Sequence, residues 1–223
     1  KKKEKIFKEL VNSENPIIID IGAHKGETVI EMKEIFPKSE IHSFEPDPET
    51  FKFLKKNTKE FKNVFLNNSA IADKNSHKLK FYRHEFSKLN SFKKINVKGN
   101  VIKNYLNDNQ KKQENIYNQP IFVRSLKLDT YCNNTGLKNI DILKIDVQSA
   151  EKECLKGSKN ILKNTKIIYT EINFHDMYET SYNFYDLESI IVPQGFNLFC
   201  LVKANIQKKS ERLGWVEAVY VRE

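Results

Sequence analysis

Asp20-Ile21-Gly22-Ala23-His24-Lys25-Gly26-Glu27-Thr28 is the segment whose residue types and spacing could do chemistry. Gly22 and Gly26 remove Cβ atoms where a chain turns sharply and where a ligand must touch backbone. Glu45 closes the next apolar run, and an acid there can accept both hydroxyls of a bound ribose. The glycines alone also fit an ordinary turn with a capping acid. The joint pattern of strand, Asp-x-Gly-x-x-x-Gly, helix, strand and terminal Glu is more specific, and it points to a nucleoside.

Two nucleoside cofactors compete for such a turn. A dinucleotide site uses G-x-G-x-x-G, whose second glycine lets a pyrophosphate approach the backbone; here His24 stands in that place. S-adenosylmethionine has no pyrophosphate, and its ammonium and sulfonium charges suit Asp20, which would repel a diphosphate. The residues favour the methyl donor. Methyl transfer needs in-line attack, so positioning carries most of the rate, and an alcohol acceptor needs a base within hydrogen-bond reach. Asp146 and Glu171 end two further apolar runs. Asp146 reads as a partner of cofactor or acceptor, or as a cap for the helix beyond it; Glu171 reads as a site acid or as one half of a surface ion pair. His175 is a candidate base because imidazole titrates near working pH, or else a surface histidine. With Asn173, the two acids also resemble by position the oxygen ligands of metal-assisted catechol-type methyltransferases, a set suited to Mg²⁺ or Ca²⁺. A divalent metal is the less favoured option, and no metal ligand is assigned.

These residues need strands that end at one crevice. Ile17 to Ile21 is a β-branched run typical of a buried parallel strand, and Gly26 to Phe36 reads as a helix stopped by Pro37. Ser39 to Glu45 is a second strand, and Pro48 opens a second helix with Phe51, Leu54, Thr58 and Phe61 on its buried side. Asn63 to Ala72 reads as one strand and Lys78 to Arg83 as another. Residues 84–120 are weakly periodic and too long for a routine connection, so they read as an insertion or lid, with Ser91, Lys93 and Lys94 as groups that could face an acceptor. Then come Ile121 to Val123, a strand from Ile140 to Ile145, a helix carrying Ala150, Cys154, Leu155, Ile161 and Leu162, a strand from Lys166 to Ile172, and a helix from Tyr182 to Val192. Two closing strands, 195–202 and 215–221, form an antiparallel pair. The expected fold is one α/β domain over residues 1–223, doubly wound and mostly parallel.

The chain has 223 residues with a formal charge of +9, 39% hydrophobic and 30% charged. That balance excludes a disordered chain and fits a single core. The basic excess is spread over Lys and Asn throughout, which reads as solvated surface more than as a nucleic-acid face. No stretch approaches the roughly 18 apolar residues of a membrane span, and the Lys-rich start, read as a frayed or truncated helix, lacks the apolar run of a signal peptide. Cys132, Cys154 and Cys200 form neither a disulfide framework nor a metal knuckle. A cytoplasmic setting is expected.

From about Pro16 to Val221 the chain resembles FkbM-type S-adenosylmethionine-dependent methyltransferases. The blocks that carry the resemblance are Asp20 to Gly26, Phe44-Glu45-Pro46-Asp47-Pro48, Asn68-Ser69-Ala70-Ile71, Ser125 to Asp129, Leu143 to Glu151 and the strand ending at Glu171. The resemblance implies a seven-stranded class I (Rossmann-like) sheet with an antiparallel final strand. It also implies methyl transfer to oxygen, on a hydroxyl of a carbohydrate, glycan precursor or related small molecule. On these blocks the donor-binding residues are Asp20, Gly22, Ala23, His24, Gly26, Glu27, Thr28, Glu45, Pro46, Ser69, Ala70 and Asp146, and the catalytic candidates are Asp146, Glu171 and His175. In one place the chain departs from the family pattern: Gln148-Ser149 stands where Glu-Gly is usual, removing a carboxylate and a flexible turn. Three other readings remain. They are an RNA methyltransferase, prompted by the charge but lacking an Asn-Pro-Pro-Tyr-type tetrad or a Pro-Cys pair, a non-catalytic nucleoside-binding module, and an NAD-dependent dehydrogenase, weakened by the missing middle glycine. The oligomeric state is open.

Overall fold

The computed structural model describes residues 2–84, 86–99, 118–174, 177–180, 182–206 and 213–222. In chain order its elements are Lys2–Leu10 (α1), Ile17–Ile21 (β1), Glu27–Ile35 (α2), Glu40–Phe44 (β2), Pro48–Thr58 (α3), Val64–Asn67 (β3), Ala70–Ile71 (β4) and Ser76–Arg83 (β5). There follow Gln119–Leu126 (β6), Leu128–Thr135 (α4), Ile140–Ile145 (β7), Glu151–Lys156 (α5), Thr165–Asn173 (β8), Phe184–Ile191 (α6), Phe196–Ile206 (β9) and Leu213–Arg222 (β10).

Seven strands form one sheet in the order β3-β2-β1-β7-β8-β10-β9. The β1–β2, β2–β3, β1–β7 and β7–β8 pairs are parallel, while β10 runs antiparallel to both β8 and β9. The expected α/β sheet with its antiparallel end is therefore present. The central strands β1 and β7 are nearly continuous Ile and Leu, as burial on both faces demands. Two apolar clusters result, one built on Leu143, Ile145, Leu155, Leu187 and Phe196, the other on Ile18, Val29, Met32, Leu54 and Ile142. Local chemistry fixes the helix starts. Asp47 accepts the Glu49 amide at the head of α3, with Pro48 in the first turn, and Asn183 and Asp186 form a reciprocal cap on α6.

Several elements differ from the sequence reading. The supposed strand from Asn63 to Ala72 is two: Asn68 and Ser69 break it, and β4 leaves the main sheet for a second one of order β4-β6-β5. Helix α4 is new. It shows no clear apolar period, yet Leu128 and Cys132, one turn apart, are both buried. The helix after Asp146 stops at Lys156, before Gly157, where an added Cβ would lie 2.0 Å from the Ala72 carbonyl oxygen; Ile161 and Leu162 lie in a separate short 3₁₀ turn. The Lys-rich start is a docked helix, its buried Phe7 ring edge-on to Tyr169 at 5.5 Å.

Candidate active site

A cavity of about 520 Å³ opens over the carboxyl ends of β1, β2, β7 and β8 and continues to the start of β10. Strand order reverses about β1, which is where doubly wound sheets hold ligands. After β1 the backbone is left-handed at Gly22 (φ 79°), His24 (φ 48°) and Gly26 (φ 97°). The amides of Gly22 and Ala23 both donate to the Phe44 carbonyl at 3.0 Å, which folds the turn back onto β2. A Cβ on Gly22 would lie 1.9 Å from the Asp146 carbonyl oxygen, so the neighbouring strand demands that glycine. On Gly26 a Cβ would meet Thr58 Cγ2 at 2.8 Å; this glycine serves the packing of α2 on α3 and does not line the cavity.

Glu45 ties the turn down. Its Oε2 accepts the His24 amide at 3.0 Å and its Oε1 the Asp47 amide at 2.9 Å. Burial nevertheless pushes its pKa up to about 8. The His24 ring shares hydrogen bonds with Glu27 at 3.0 Å and with Ser87 Oγ at 2.8 Å, which links the turn to the described part of the insertion.

Asp20 is not at the cavity wall. It is 0% exposed, and its Oδ1 faces Lys144 Nζ at 3.0 Å. Lys144 also donates to the Gly22 carbonyl at 2.8 Å and lies 3.9 Å from Asp146 Oδ2. Burial opposes the Lys144 charge, but Asp20 and Asp146 outweigh it and hold its pKa above the usual lysine value; burial raises Asp20 against the pull of Lys144. The negative charge expected to meet a cationic ligand is thus spent inside the protein on a lysine. Sequence reasoning missed Lys144, although one lysine inside the buried run Ile140–Ile145 was the available signal.

At the other end of the cavity, Gln148 Nε2 donates to Asp146 Oδ1 at 2.9 Å and reaches Glu171 Oε1 at 3.4 Å. Burial, then the nearby Asp146, push Glu171 up to about 8. Asn173 Nδ2 donates to Glu171 at 3.3 Å. Glu151 caps the Val147 amide at 3.1 Å, and burial pushes it up to about 7. Ser91, from the insertion, is buried and donates to the Gln148 carbonyl at 2.8 Å, whereas Lys93 turns to Glu153. Gln148 (φ 57°) and Ser149 (φ 66°) form a left-handed turn without glycine, so the turn expected to be lost is kept.

Of the sequence candidates, Gly22, Ala23, His24, Glu27, Thr28, Glu45, Pro46, Ser69, Ala70, Asp146 and Glu171 line this one cavity. Asp20 and Gly26 support it from behind, and His175 lies outside the described residues. Asn173, Met177, Lys203, Trp215 and Glu217 extend the cavity beyond Glu171; the sole Trp of the chain was not singled out from sequence. The volume falls within the roughly 300–1,000 Å³ of small-ligand pockets. The walls hold six acids, Glu27, Glu31, Glu45, Asp146, Glu171 and Glu217, against Lys3, Lys88, Lys144 and Lys203, and Lys3, Lys88 and Lys144 each lie within 4 Å of a carboxylate, a balance that suits a cationic nucleoside better than a diphosphate. A divalent metal fits poorly, because the Gln148 amide donates into the space between Asp146 and Glu171 that a cation would take. Among the described residues no group of three or more His, Cys, Asp or Glu is disposed to hold a metal.

The sheet order and the crevice over β1 define a class I methyltransferase fold. The model of the methyltransferase FkbM domain matches residues 20–198, and the chain belongs to this family of S-adenosylmethionine-dependent methyltransferases. It is 31% identical over 172 residues to the 2-O-methyltransferase NoeI of Sinorhizobium fredii, covering 76% of this chain and 68% of the relative. An FkbM methyltransferase from Methylobacillus flagellatus has the same fold at a TM-score of 0.58 and 12% identity, over 95% of this chain and 44% of that one; the chain spans less than half the length of that protein. Aeropyrum pernix fibrillarin, solved with natively bound S-adenosyl-L-methionine, matches at a TM-score of 0.50 and 11% identity, over 97% and 73%.

Proposed function

We propose that this chain transfers the methyl group of S-adenosylmethionine to a hydroxyl oxygen of a carbohydrate or glycan precursor. The observation that carries the reading is a single cavity that joins the glycine turn and Glu45 to the Asp146–Gln148–Glu171 cluster. The likeness to a 2-O-methyltransferase supports oxygen as the acceptor atom. When bound, S-adenosylmethionine supplies a methyl carbon on a cationic sulfur that leaves as a neutral thioether. Gly22, Ala23, His24, Glu27, Thr28, Glu45, Pro46, Ser69, Ala70 and Asp146 are the residues that would hold it.

The chain's own groups do the rest. Asp146 and Glu171 present carboxylates where the acceptor hydroxyl would lie, and Glu171 in its charged form takes the hydroxyl proton as the new oxygen–carbon bond forms. The carboxylate form is the base, so the rate rises with pH through about 8. Trp215, with Lys203 Nζ 5.0 Å from its ring centroid, offers an aromatic wall for the acceptor. Leu89, Asn90 and Phe92 of the insertion also line the cavity, which supports a covering role for the stretch 86–99; residues 100–117 of the insertion lie outside the described residues. No helix among the described residues is long and apolar enough to cross a membrane, and the three free cysteines support a reducing, cytoplasmic setting.

The test is methyl transfer from labelled donor to a panel of neutral and charged glycosides, read beside quenching of the Trp215 fluorescence by the same acceptors. Label in a glycoside, with KM raised at least several-fold in Trp215→Ala, is the expected result. Label that enters RNA and no glycoside overturns the reading.

A further inference from the structure

We propose that Gln148 is a positioning residue: its side-chain amide clamps Asp146 and Glu171 side by side, in the place where a cation would otherwise hold two carboxylates together. The proposal rests on the reading that Glu171 accepts the acceptor's proton. Three observations point to it.

The first is the orientation of the amide. Tyr178, only 2% exposed, shares its one hydroxyl proton between the Leu89 carbonyl at 2.9 Å and Gln148 Oε1 at 3.1 Å. With its oxygen on the tyrosine side, the amide presents Nε2 to the carboxylates, 2.9 Å from Asp146 Oδ1 and 3.4 Å from Glu171 Oε1. The second is the backbone. Gln148 and Ser149 hold φ of 57° and 66° in succession, a conformation that costs non-glycine residues on the order of 1 kcal/mol or more each and persists only where the surroundings enforce it. Glycine would relieve that strain; what the Gln148 side chain has in its place are its contacts with Asp146, Glu171 and Tyr178. The third is the anchoring: the Gln148 carbonyl accepts from buried Ser91 at 2.8 Å, which fixes the turn from the insertion side.

The chemistry follows from like charges in a buried place. Glu171 is faced by Lys144 from β7 and Asp146 just after it, by Glu151 from α5, by Glu217 from β10 and by Tyr178, with Asn173 on its own strand. Hydrogen bonds to a charged carboxylate favour the charged form, and an added negative charge opposes it. Removing the amide therefore makes Glu171 harder to ionise. Replacing it by a carboxylate does so more strongly.

The test is the Glu171 carboxyl titration in donor-free protein, followed by ¹³C NMR and assigned with Glu171→Gln, for the wild type, Gln148→Leu and Gln148→Glu. The expected result is a pKa raised by about one unit in Gln148→Leu, a tenfold change, and by more in Gln148→Glu. The pH limb of kcat should move with it. Glu171 titrating within about 0.3 units of wild type in both folded variants overturns the clamp. Should Gln148→Leu fail to fold, Tyr178→Phe, which frees the amide to turn over, serves beside Gln148→Glu: a rise in both sustains the clamp, and no rise in either overturns it. Raised titrations without methyl transfer to any glycoside sustain the clamp and overturn the acceptor reading instead.

Discussion

Lys144→Met removes the counter-ion of a carboxylate that has nowhere else to turn. Asp20 is fully buried, its Oδ2 has no hydrogen-bond partner, and its Oδ1 lies 3.0 Å from the ammonium. At that separation and an effective dielectric of about 20, the gross attraction is roughly 5–6 kcal/mol. Breaking one side of a buried pair costs about 3–5 kcal/mol, and the lost bond to the Gly22 carbonyl adds about 1 kcal/mol. Urea unfolding at pH 8 of the wild type, Lys144→Met, Asp20→Asn and the double variant measures this. The single lysine variant is expected to lose about 4–6 kcal/mol, and the double variant clearly less than the sum of the two singles. The sign with pH follows from Asp20, whose folded pKa is raised by burial. Without Lys144 the deficit deepens as pH rises and shrinks as pH falls and Asp20 takes up a proton. A loss under about 1 kcal/mol, or strict additivity of the two variants, refutes the pairing.

Three further outcomes are expected. The pH profile of kcat should rise through about 8 in the wild type, and Glu171→Gln should abolish that limb and lower kcat by about 10²–10⁴-fold; a limb unchanged in the variant would assign the proton elsewhere. In the donor-free protein Glu45 and Glu171 sit at about 8 and Glu151 at about 7, all raised by burial. The stability they contribute is complete below their unfolded values and is lost as pH climbs through 7 to 8, so Tm should fall between pH 6 and pH 9, and a flat or rising Tm contradicts this. Because the Gln148 amide fills the gap between Asp146 and Glu171, treatment with a strong chelator should leave the methyl-transfer rate within about twofold, whereas a loss restored by Mg²⁺ would show that a cation enters the site.

The strand ends were legible because isoleucine-rich runs before Gly22 and Asp146, with the shorter strand before Glu45 between two helical patterns, leave few alternatives to a parallel sheet. The family blocks carried the donor end of the cavity lining, whereas Met177, Lys203, Trp215 and Glu217 at its far end lie outside them. What escaped was whatever depends on tertiary partners. Asp20 reads as a free acid until Lys144 is found opposite it on the neighbouring strand, and no local pattern reveals a cross-strand pair. Helix α4 has the weak formers Thr, Asn and Asp and is held by its buried Leu128 and Cys132. Asn68-Ser69 marks the point where the chain leaves one sheet for another, which a run of strand-like residues conceals. Gln148-Ser149 looked like the loss of a turn, because sequence alone cannot tell an absent left-handed bend from one enforced by Tyr178 and Ser91.

The most direct test is a crystal structure with S-adenosylhomocysteine, the product of the donor. The expected result is the adenosyl group against the Gly22–His24 turn, its ribose hydroxyls on Glu45 and its sulfur toward Asp146 and Glu171. A nucleoside bound elsewhere, or a diphosphate filling that turn, would contradict it.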